Sequence, residues 1–552
     1  MRTNGAKVAV VGGVVVAVVG AGVGTYALMS DSGGGSSSVT SEDDRPRVKT
    51  GPPSAAEVRT TARKFLSAWE SGSLKKAAAL TDSPADAAAA LTSYHKDARI
   101  SDVAFEPGRA SQRTVPFKVN AVIAFGTQKA PWQYASELTV TRDKSTGKPV
   151  LDWEPSVVHP HLREGDTLKT GEADAPPIKA VDRNGVELST KSHPALRGVL
   201  ASLRERYGDK TDGRPGVELW ISRAAPKGAD AKTRAAERPD ETLKVLSKGT
   251  PGTLRTTLDA RLQSNAEAQV NKHRKAAVVA VKPSTGEILA VANSPADGFN
   301  AALQGSYAPG STMKVITSSL LLEKGLAGYD KPHPCPKYSS YGGWKFQNDK
   351  KFEIKDGTFA QSFARSCNTA FITQAKKIKD DALTQQARDV FGIGLNWQTG
   401  VPTFDGAVPV QHDAPKAASM IGQGGVRMNP LNMASVAATV QSGTFRQPYL
   451  VSPELDNRQL AKAPRTLSAD ALQQLRALMR LTATSGTAAE PMSGLSGDIG
   501  AKTGSAEVMN QKKPNGWLTA YRGDVAAAAV VPEGGHGSDS AGPVVAAILR
   551  AG

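Results

Sequence analysis

An uncharged run of 22 residues, Val8 to Met29, is the strongest constraint in this chain of 552 residues. Roughly 20 consecutive apolar residues span the hydrocarbon of a bilayer, where a backbone without water must close its own hydrogen bonds as a helix. Arg2 and Lys7 precede the run and Asp31 follows it, an asymmetry that places the short N-terminus in the cytoplasm. A cleavable leader has an apolar stretch of only about 7–15 residues, so an uncleaved anchor is expected, with cleavage near Ala27 as the alternative. Everything after the run is then expected to fold outside the cell. In an exported chain the two cysteines, Cys335 and Cys367, allow either a disulfide or two buried thiols.

Lys and Arg number 68 against 52 Asp and Glu, for a net charge of +16. The basic residues read as scattered through mixed-charge segments, with no aromatic-interleaved basic stripe, which argues against nucleic acid. An anionic membrane or wall polymer accounts for the surplus equally well. The eight histidines show no metal-ligand spacing, and no cofactor is expected.

Ser30 to Pro53 is Gly/Ser-rich and then charged, as a flexible spacer would be. Val58, Ala62, Phe65, Leu66 and Trp69 recur at helical spacing, and a second short helix is expected around Leu74 to Leu80. Phe117 to Phe125 and Ser136 to Arg142 alternate as strands do. Prolines between Trp153 and Gly165 close this small α+β domain. Residues from Leu168 to Gly249 mix short apolar runs with loops, and Ala229 to Lys248 reads as an exposed charged arm. A helix is expected from Thr256 to about Lys272, then strands at Ala276 to Val281 and Ile288 to Asn293. Further strands are expected at Asp498 to Lys502, Trp517 to Arg522 and Val525 to Val531, with a closing helix over Ala541 to Arg550.

Three polar motifs follow one another: Ser311-Thr-Met-Lys314, Ser366-Cys-Asn368 and Lys502-Thr-Gly504. Singly they are weak, because S-x-x-K recurs at Ser73 and Ser145 and K-T-G at Lys169, copies read as lying in a helix and in loops. Order and spacing separate the three from their copies. Pro309 and Gly310 make a turn that places Ser311 near a positive helix N-terminus, with Lys314 three residues on and on the same face. A serine hydroxyl needs a base, and lysine serves only with a lowered pKa, which burial and a second cation, Lys502, would supply.

Tyr307 to Lys314, Ser366 to Phe371 and Lys502 to Glu507 resemble the three active-site boxes of the penicillin-binding transpeptidases, in order, flanks and spacing. Gly422-Gln-Gly424 and Met428-Asn-Pro-Leu431 resemble the segment before the last box. Ser54 to Gly165 resembles the nuclear-transport-factor-like domain of the penicillin-binding proteins associated with methicillin resistance. The resemblance implies a monofunctional, class B protein of multidomain α+β fold. Its parts would be an anchor over 1–29, a spacer over 30–53, a small cone-like domain over 54–165 and a dimerisation or pedestal region over 166–251. The transpeptidase domain would occupy 252–552, an antiparallel sheet flanked by helices with a helical subdomain.

The expected reaction is peptidoglycan D,D-transpeptidation, in which Ser311 attacks the penultimate D-Ala carbonyl of a stem peptide and a neighbouring amine resolves the acyl-enzyme. Ser366 is suited to pass a proton to the leaving group, and Asn368 to bond the substrate amide and Lys314. Lys502, Thr503 and Ser505 would hold the substrate carboxylate, with Gly504 leaving room for the acyl chain. The family implies an oxyanion hole from the backbone N–H groups of Ser311 and Ser505, worth about 3 kcal/mol per donor in comparable sites. Expected partners are stem peptides, β-lactam antibiotics, the membrane and a membrane glycan polymerase. The alternatives are a D,D-carboxypeptidase or β-lactamase-type hydrolase, and a non-catalytic β-lactam or muropeptide sensor. Class A hydrolysis needs a deacylating glutamate, and Glu454 and Glu490 lie in the right interval without the right context.

Overall fold

The computed structural model describes residues 49–173, 176–224 and 239–552. The Val8–Met29 run, most of the Ser30–Pro53 spacer and the first part of the expected charged arm lie outside the described residues. Among the described residues no helix is long and apolar enough to cross a membrane.

Three helices, α1 (Ala55–Glu70), α2 (Leu74–Ala78) and α3 (Pro84–Lys96), open the first domain. Ser54 caps α1 reciprocally with Glu57, closing two of the N–H groups a helix start leaves free. The stripe read from the sequence, Val58 to Trp69, is buried. Helix α3 was not anticipated, because its alanine run carries little periodic signal; Pro84 starts it and Ala87, Leu91 and Tyr94 face the core. Four antiparallel strands follow in spatial order: β1 (Ile100–Pro107), β2 (Thr114–Phe125), β3 (Gln128–Arg142) and β4 (Pro149–Asp152). Val115, Phe117, Val119, Ala121 and Ile123 point inward from β2 at period two, under the helices.

Among the described residues of 166–251 no separate core forms. Strands β5 (Thr167–Glu172), β6 (Val217–Ser222) and β7 (Glu241–Ser247) form an antiparallel sheet whose Leu168, Leu219 and Ile221 join the first domain's core. Helix α4 (Arg197–Tyr207) instead packs Leu200, Leu203 and Tyr207 into the core of the C-terminal domain. The exposed-arm expectation needs correction over 241–247: Leu243, Val245 and Leu246 carry enough β-propensity to pair with β6.

The C-terminal domain starts with α5 (Ala260–Val270), capped by Asp259 on the Leu262 N–H at 2.9 Å, slightly later than expected. Strands β8 (Ala276–Val281) and β9 (Ile288–Ser294) follow, then α6 (Lys314–Glu323) and a hairpin of β10 (Tyr338–Tyr341) and β11 (Trp344–Gln347). Helices α7 (Pro430–Ser442) and α8 (Ala469–Ser485) precede β12 (Ile499–Ala506), β13 (Asn515–Arg522), β14 (Val525–Val531) and α9 (Ala541–Ala551). The main sheet is antiparallel in the order β9-β8-β14-β13-β12. Along β8, Ala277, Val279 and Val281 enter one core and Ala276, Val278 and Ala280 the other, so helices cover both faces. That double burial is why these strands read as unbroken apolar runs. Strand β12 is one edge of this sheet, and it runs four residues beyond the expected Lys502, so the third box lies inside a strand.

Candidate active site

Ser311 sits in a single 3₁₀ turn, Gly310–Met313, that leads into α6. Thr312 Oγ1 closes the turn on the Pro309 carbonyl at 2.7 Å. Gly310 has φ +54°, and a Cβ there would lie 2.8 Å from the Ser505 carbonyl oxygen, so only glycine lets the turn touch β12. A Cβ on Gly422 would lie 2.0 Å from the Gly310 oxygen. The Gly310 N–H donates to the Gly422 carbonyl at 3.0 Å, and Tyr307 and Met428 exchange backbone bonds at 2.9 and 2.7 Å. The Gly422–Gly424 and Met428–Leu431 segments thus buttress the Ser311 turn.

Lys314 is fully buried, and its Nζ meets the other boxes. It lies 2.9 Å from Ser311 Oγ, 2.8 Å from the Ser366 carbonyl, 2.7 Å from Asn368 Oδ1 and 3.4 Å from Ser366 Oγ. Burial, then the positive charge of Lys502, holds its pKa well below the usual lysine range. A neutral amine has two N–H groups and one lone pair. The Ser366 and Asn368 oxygens are carbonyls that only accept, so they take the two N–H bonds and the lone pair is left for the Ser311 hydroxyl proton.

Ser366 holds φ +59°, a left-handed conformation that a non-glycine residue adopts at some cost. That twist aims its carbonyl at Lys314 and its hydroxyl at Lys502, whose Nζ donates at 2.9 Å. Two features of the neighbouring loop brace it. Cys367 is disulfide-bonded to Cys335, settling the open alternative. Asn348, buried behind the hairpin, accepts from the N–H groups of Asn368 and Thr369 at 2.8 and 3.1 Å while donating to Pro336 and Phe352 carbonyls. Asn348 was missed because a single asparagine in a charged stretch carries no pattern.

Lys502 is also fully buried, and burial brings its pKa down to about 7. Its Nζ donates to the Thr503 carbonyl as well as to Ser366 Oγ. Thr503 Oγ1 hydrogen-bonds Thr487 Oγ1, another contact the sequence did not reveal. A Cβ on Gly504 would lie 2.8 Å from the Pro309 oxygen, and Ser505 is half-buried beside the turn. Ser311, Lys314, Ser366, Asn368 and Lys502 are therefore one connected network, with Thr503, Gly504 and Ser505 continuing along its edge strand. The copied motifs do not join it: Ser73 starts α2, Ser145 bonds Asp143, and Lys169 lies on β5 and not in the expected loop. Glu454 and Glu490 are exposed, and among the described residues no carboxylate bonds any member of the network.

Comparison with known proteins agrees with this arrangement. The penicillin binding protein transpeptidase domain matches residues 276–550, and the NTF2-like N-terminal transpeptidase domain matches residues 57–166. The peptidoglycan D,D-transpeptidase PbpA of Mycobacterium tuberculosis is 27% identical over 360 residues, covering 54% of this chain and 72% of the relative. Stage V sporulation protein D of Bacillus subtilis is 26% identical over 490 residues, covering 77% of this chain and 72% of the relative. A chain from a peptidoglycan synthase complex that coordinates polymerization and crosslinking superimposes with TM-score 0.55 at 22% identity, over 70% of this chain and 92% of that one, a likeness of fold. The chain belongs to the class B penicillin-binding proteins, with an NTF2-like domain ahead of the transpeptidase domain. It is a peptidoglycan D,D-transpeptidase.

Proposed function

We propose that Ser311 is the nucleophile, Lys314 its general base, and that the observation carrying this assignment is the Lys314 amine lying 2.9 Å from Ser311 Oγ with its other bonds taken by carbonyls. Ser311 attacks the carbonyl of the penultimate D-Ala, and its proton passes to Lys314. The developing oxyanion falls to the backbone N–H groups of Ser311 and Ser505. Ser366, bonded to both lysines, hands a proton to the departing D-Ala amine, while Asn368 orients Lys314 and the substrate amide. Lys502, Thr503 and Ser505 take the terminal carboxylate, and Gly504 keeps the strand open to the acyl chain. An amine from a neighbouring stem then attacks the ester, restoring the Ser311 hydroxyl. A β-lactam carries the same carboxylate and a strained amide, so it acylates Ser311 and stays.

The division at 29, 53, 165 and 251, with a membrane helix over Val8–Met29 and the catalytic domain outside, fits a wall-assembly enzyme. The Cys335–Cys367 disulfide supports the extracellular placement, since such bonds persist in oxidising compartments. A membrane glycan polymerase is the expected partner, in keeping with the fold this chain shares with one chain of a peptidoglycan synthase complex. Intact-mass spectrometry of the full chain in detergent, after incubation with a penicillin, tests the assignment. A stoichiometric adduct absent in Ser311→Ala is expected; an adduct that persists in that variant would move the nucleophile elsewhere.

A further inference from the structure

The basic residues read as scattered through mixed-charge segments, but one region departs from that pattern. Residues 324–379, a tenth of the length, carry eleven Lys and Arg against four Asp and Glu, a surplus of seven out of the total +16. Five of these lysines, Lys337, Lys345, Lys350, Lys351 and Lys355, flank the β10–β11 hairpin; all are exposed, and none forms an ion pair among the described residues. The hairpin also exposes two rings, Trp344 at 55% and Tyr338 at 38%, with Lys345 Nζ 4.1 Å from the Tyr338 ring centroid. Lys350 and Lys351 hold consecutive positive φ values of 50° and 56°, a costly conformation for two non-glycine residues in a solvent-facing turn.

The position of this patch gives it a purpose. The Gln347 carbonyl at the end of β11 accepts from Asn368 Nδ2 at 3.2 Å. The disulfide and Asn348 tie the base of the hairpin to the Ser366–Asn368 loop. The basic, aromatic surface therefore borders the cleft where stems are joined. Each stem not yet cross-linked ends in the free carboxylate that Lys502 and Thr503 are proposed to take, apart from the amine that resolves the ester, so a glycan strand carrying several such stems presents a row of carboxylates along a chain of sugars. Lysines match its charge, and exposed rings match the apolar faces of sugar rings.

We propose that the β10–β11 hairpin with Lys345, Lys350, Lys351 and Lys355 docks a glycan strand through the carboxylates of its stem peptides, holding neighbouring stems beside the cleft. This rests on the transpeptidase reading of Ser311 and goes beyond it, to a strand-binding surface outside the acyl site. The test compares the full chain in detergent with its quadruple variant Lys345→Gln/Lys350→Gln/Lys351→Gln/Lys355→Gln. Three probes are used: un-cross-linked glycan strands with intact stems, the same strands stripped of stems by an amidase, and vesicles of phosphatidylglycerol and phosphatidylcholine.

Four lost ion pairs at an exposed surface should weaken binding of stem-bearing strands by about tenfold at low salt. The difference should shrink as the Debye length falls to about 3 Å near 1 M salt. Stripped strands should bind the parent and the variant alike. Penicillin acylation of Ser311 should stay within about twofold, which also certifies the fold, because the altered side chains touch no member of the lysine network. Equal binding of stem-bearing strands by parent and variant would overturn the proposal. So would a variant defect seen equally with stripped strands, or a defect confined to vesicles, which would make the membrane the occupant. A parent that penicillin never acylates would instead sink the transpeptidase assignment, leaving the strand-binding result to be read by itself.

Discussion

Burial does opposite things at the two ends of this molecule. In the NTF2-like domain Trp69 lies 4.5 Å from Phe105 and 5.2 Å from Tyr94, centroid to centroid, in a packed aromatic core. Desolvation there raises the pKa of Tyr94 and Tyr134 above the usual tyrosine value. Both hydroxyls are neutral at pH 7 with or without that shift, so burial costs nothing and creates no reactivity. In the transpeptidase domain the same desolvation acts on Lys314 and Lys502, holding the first well below the usual lysine range and bringing the second down to about 7. On the proposed assignment of Lys314, an amine that water would keep protonated serves as the base. The lesson is that burial of an ionisable group is chemically silent or decisive according to where its ordinary pKa lies relative to the working pH.

The sharpest way to break that comparison is to truncate one buried side chain at each end. Lys314→Met keeps the volume and removes the base, and penicillin acylation should fall by about three orders of magnitude. Trp69→Ala should cost about 3–5 kcal/mol in the N-terminal domain by leaving a cavity, yet change the acylation rate less than twofold. Stopped-flow acylation and urea unfolding of both variants supply the two readouts. If Trp69→Ala slowed acylation as Lys314→Met does, the two cores would be coupled and the contrast would fail.

Titration comes next in size. Acylation should lose rate as pH falls, because Lys314 must be neutral to take the proton. It should lose rate again as pH rises past about 7, because Lys502 must stay charged to hold a carboxylate. The interacting pair titrates together, so the two limbs belong to the network as a whole. Lys502→Arg keeps the charge and should carry the alkaline limb upward. Stability should respond differently at the two ends between about pH 7 and 9. A lysine whose folded pKa is lowered leaves the unfolded chain binding more protons, so the catalytic domain gains stability between about 7 and 10.5. Tyrosines with raised values make the folded state bind more protons, so both domains lose stability above 10, the N-terminal one through Tyr94 and Tyr134 and the catalytic one through Tyr307, Tyr449 and Tyr521. Urea midpoints at pH 7 and 9, read by domain, should rise for the catalytic domain and hold for the N-terminal one; parallel curves would contradict the account.

What could be read from the sequence follows the same divide. The three boxes were legible because chemistry fixes residue type and order, and Ser311, Lys314, Ser366, Asn368 and Lys502 do converge. Strands buried on both faces, such as β8 and β14, were legible as apolar runs. Helix α3 was not, because alanines leave no periodic trace, and β7 was not, because its charges masked its pairing with β6. Asn348 and Thr487 were invisible for a different reason: each acts through one contact made across the fold, and no local pattern announces such a contact.

Thr487 offers the smallest and most discriminating effect. It follows α8, its N–H donates to the Ala364 carbonyl at 3.0 Å, and its hydroxyl meets that of Thr503. On the proposed role of Thr503, its proton must point at the substrate carboxylate, so its oxygen is free only to accept. Thr487 is then the donor that sets the direction of that proton. Thr487→Val keeps the shape and removes the donor, costing about one neutral hydrogen bond of roughly 1 kcal/mol. The KM for a thioester stem analogue bearing a free carboxylate should rise about fivefold with kcat unchanged, since the loss falls on carboxylate binding alone. Thr487→Ser should restore KM. A valine variant that lowers the melting temperature and leaves KM untouched would make Thr487 a packing residue, and a serine variant that fails to rescue would remove the hydroxyl from the argument.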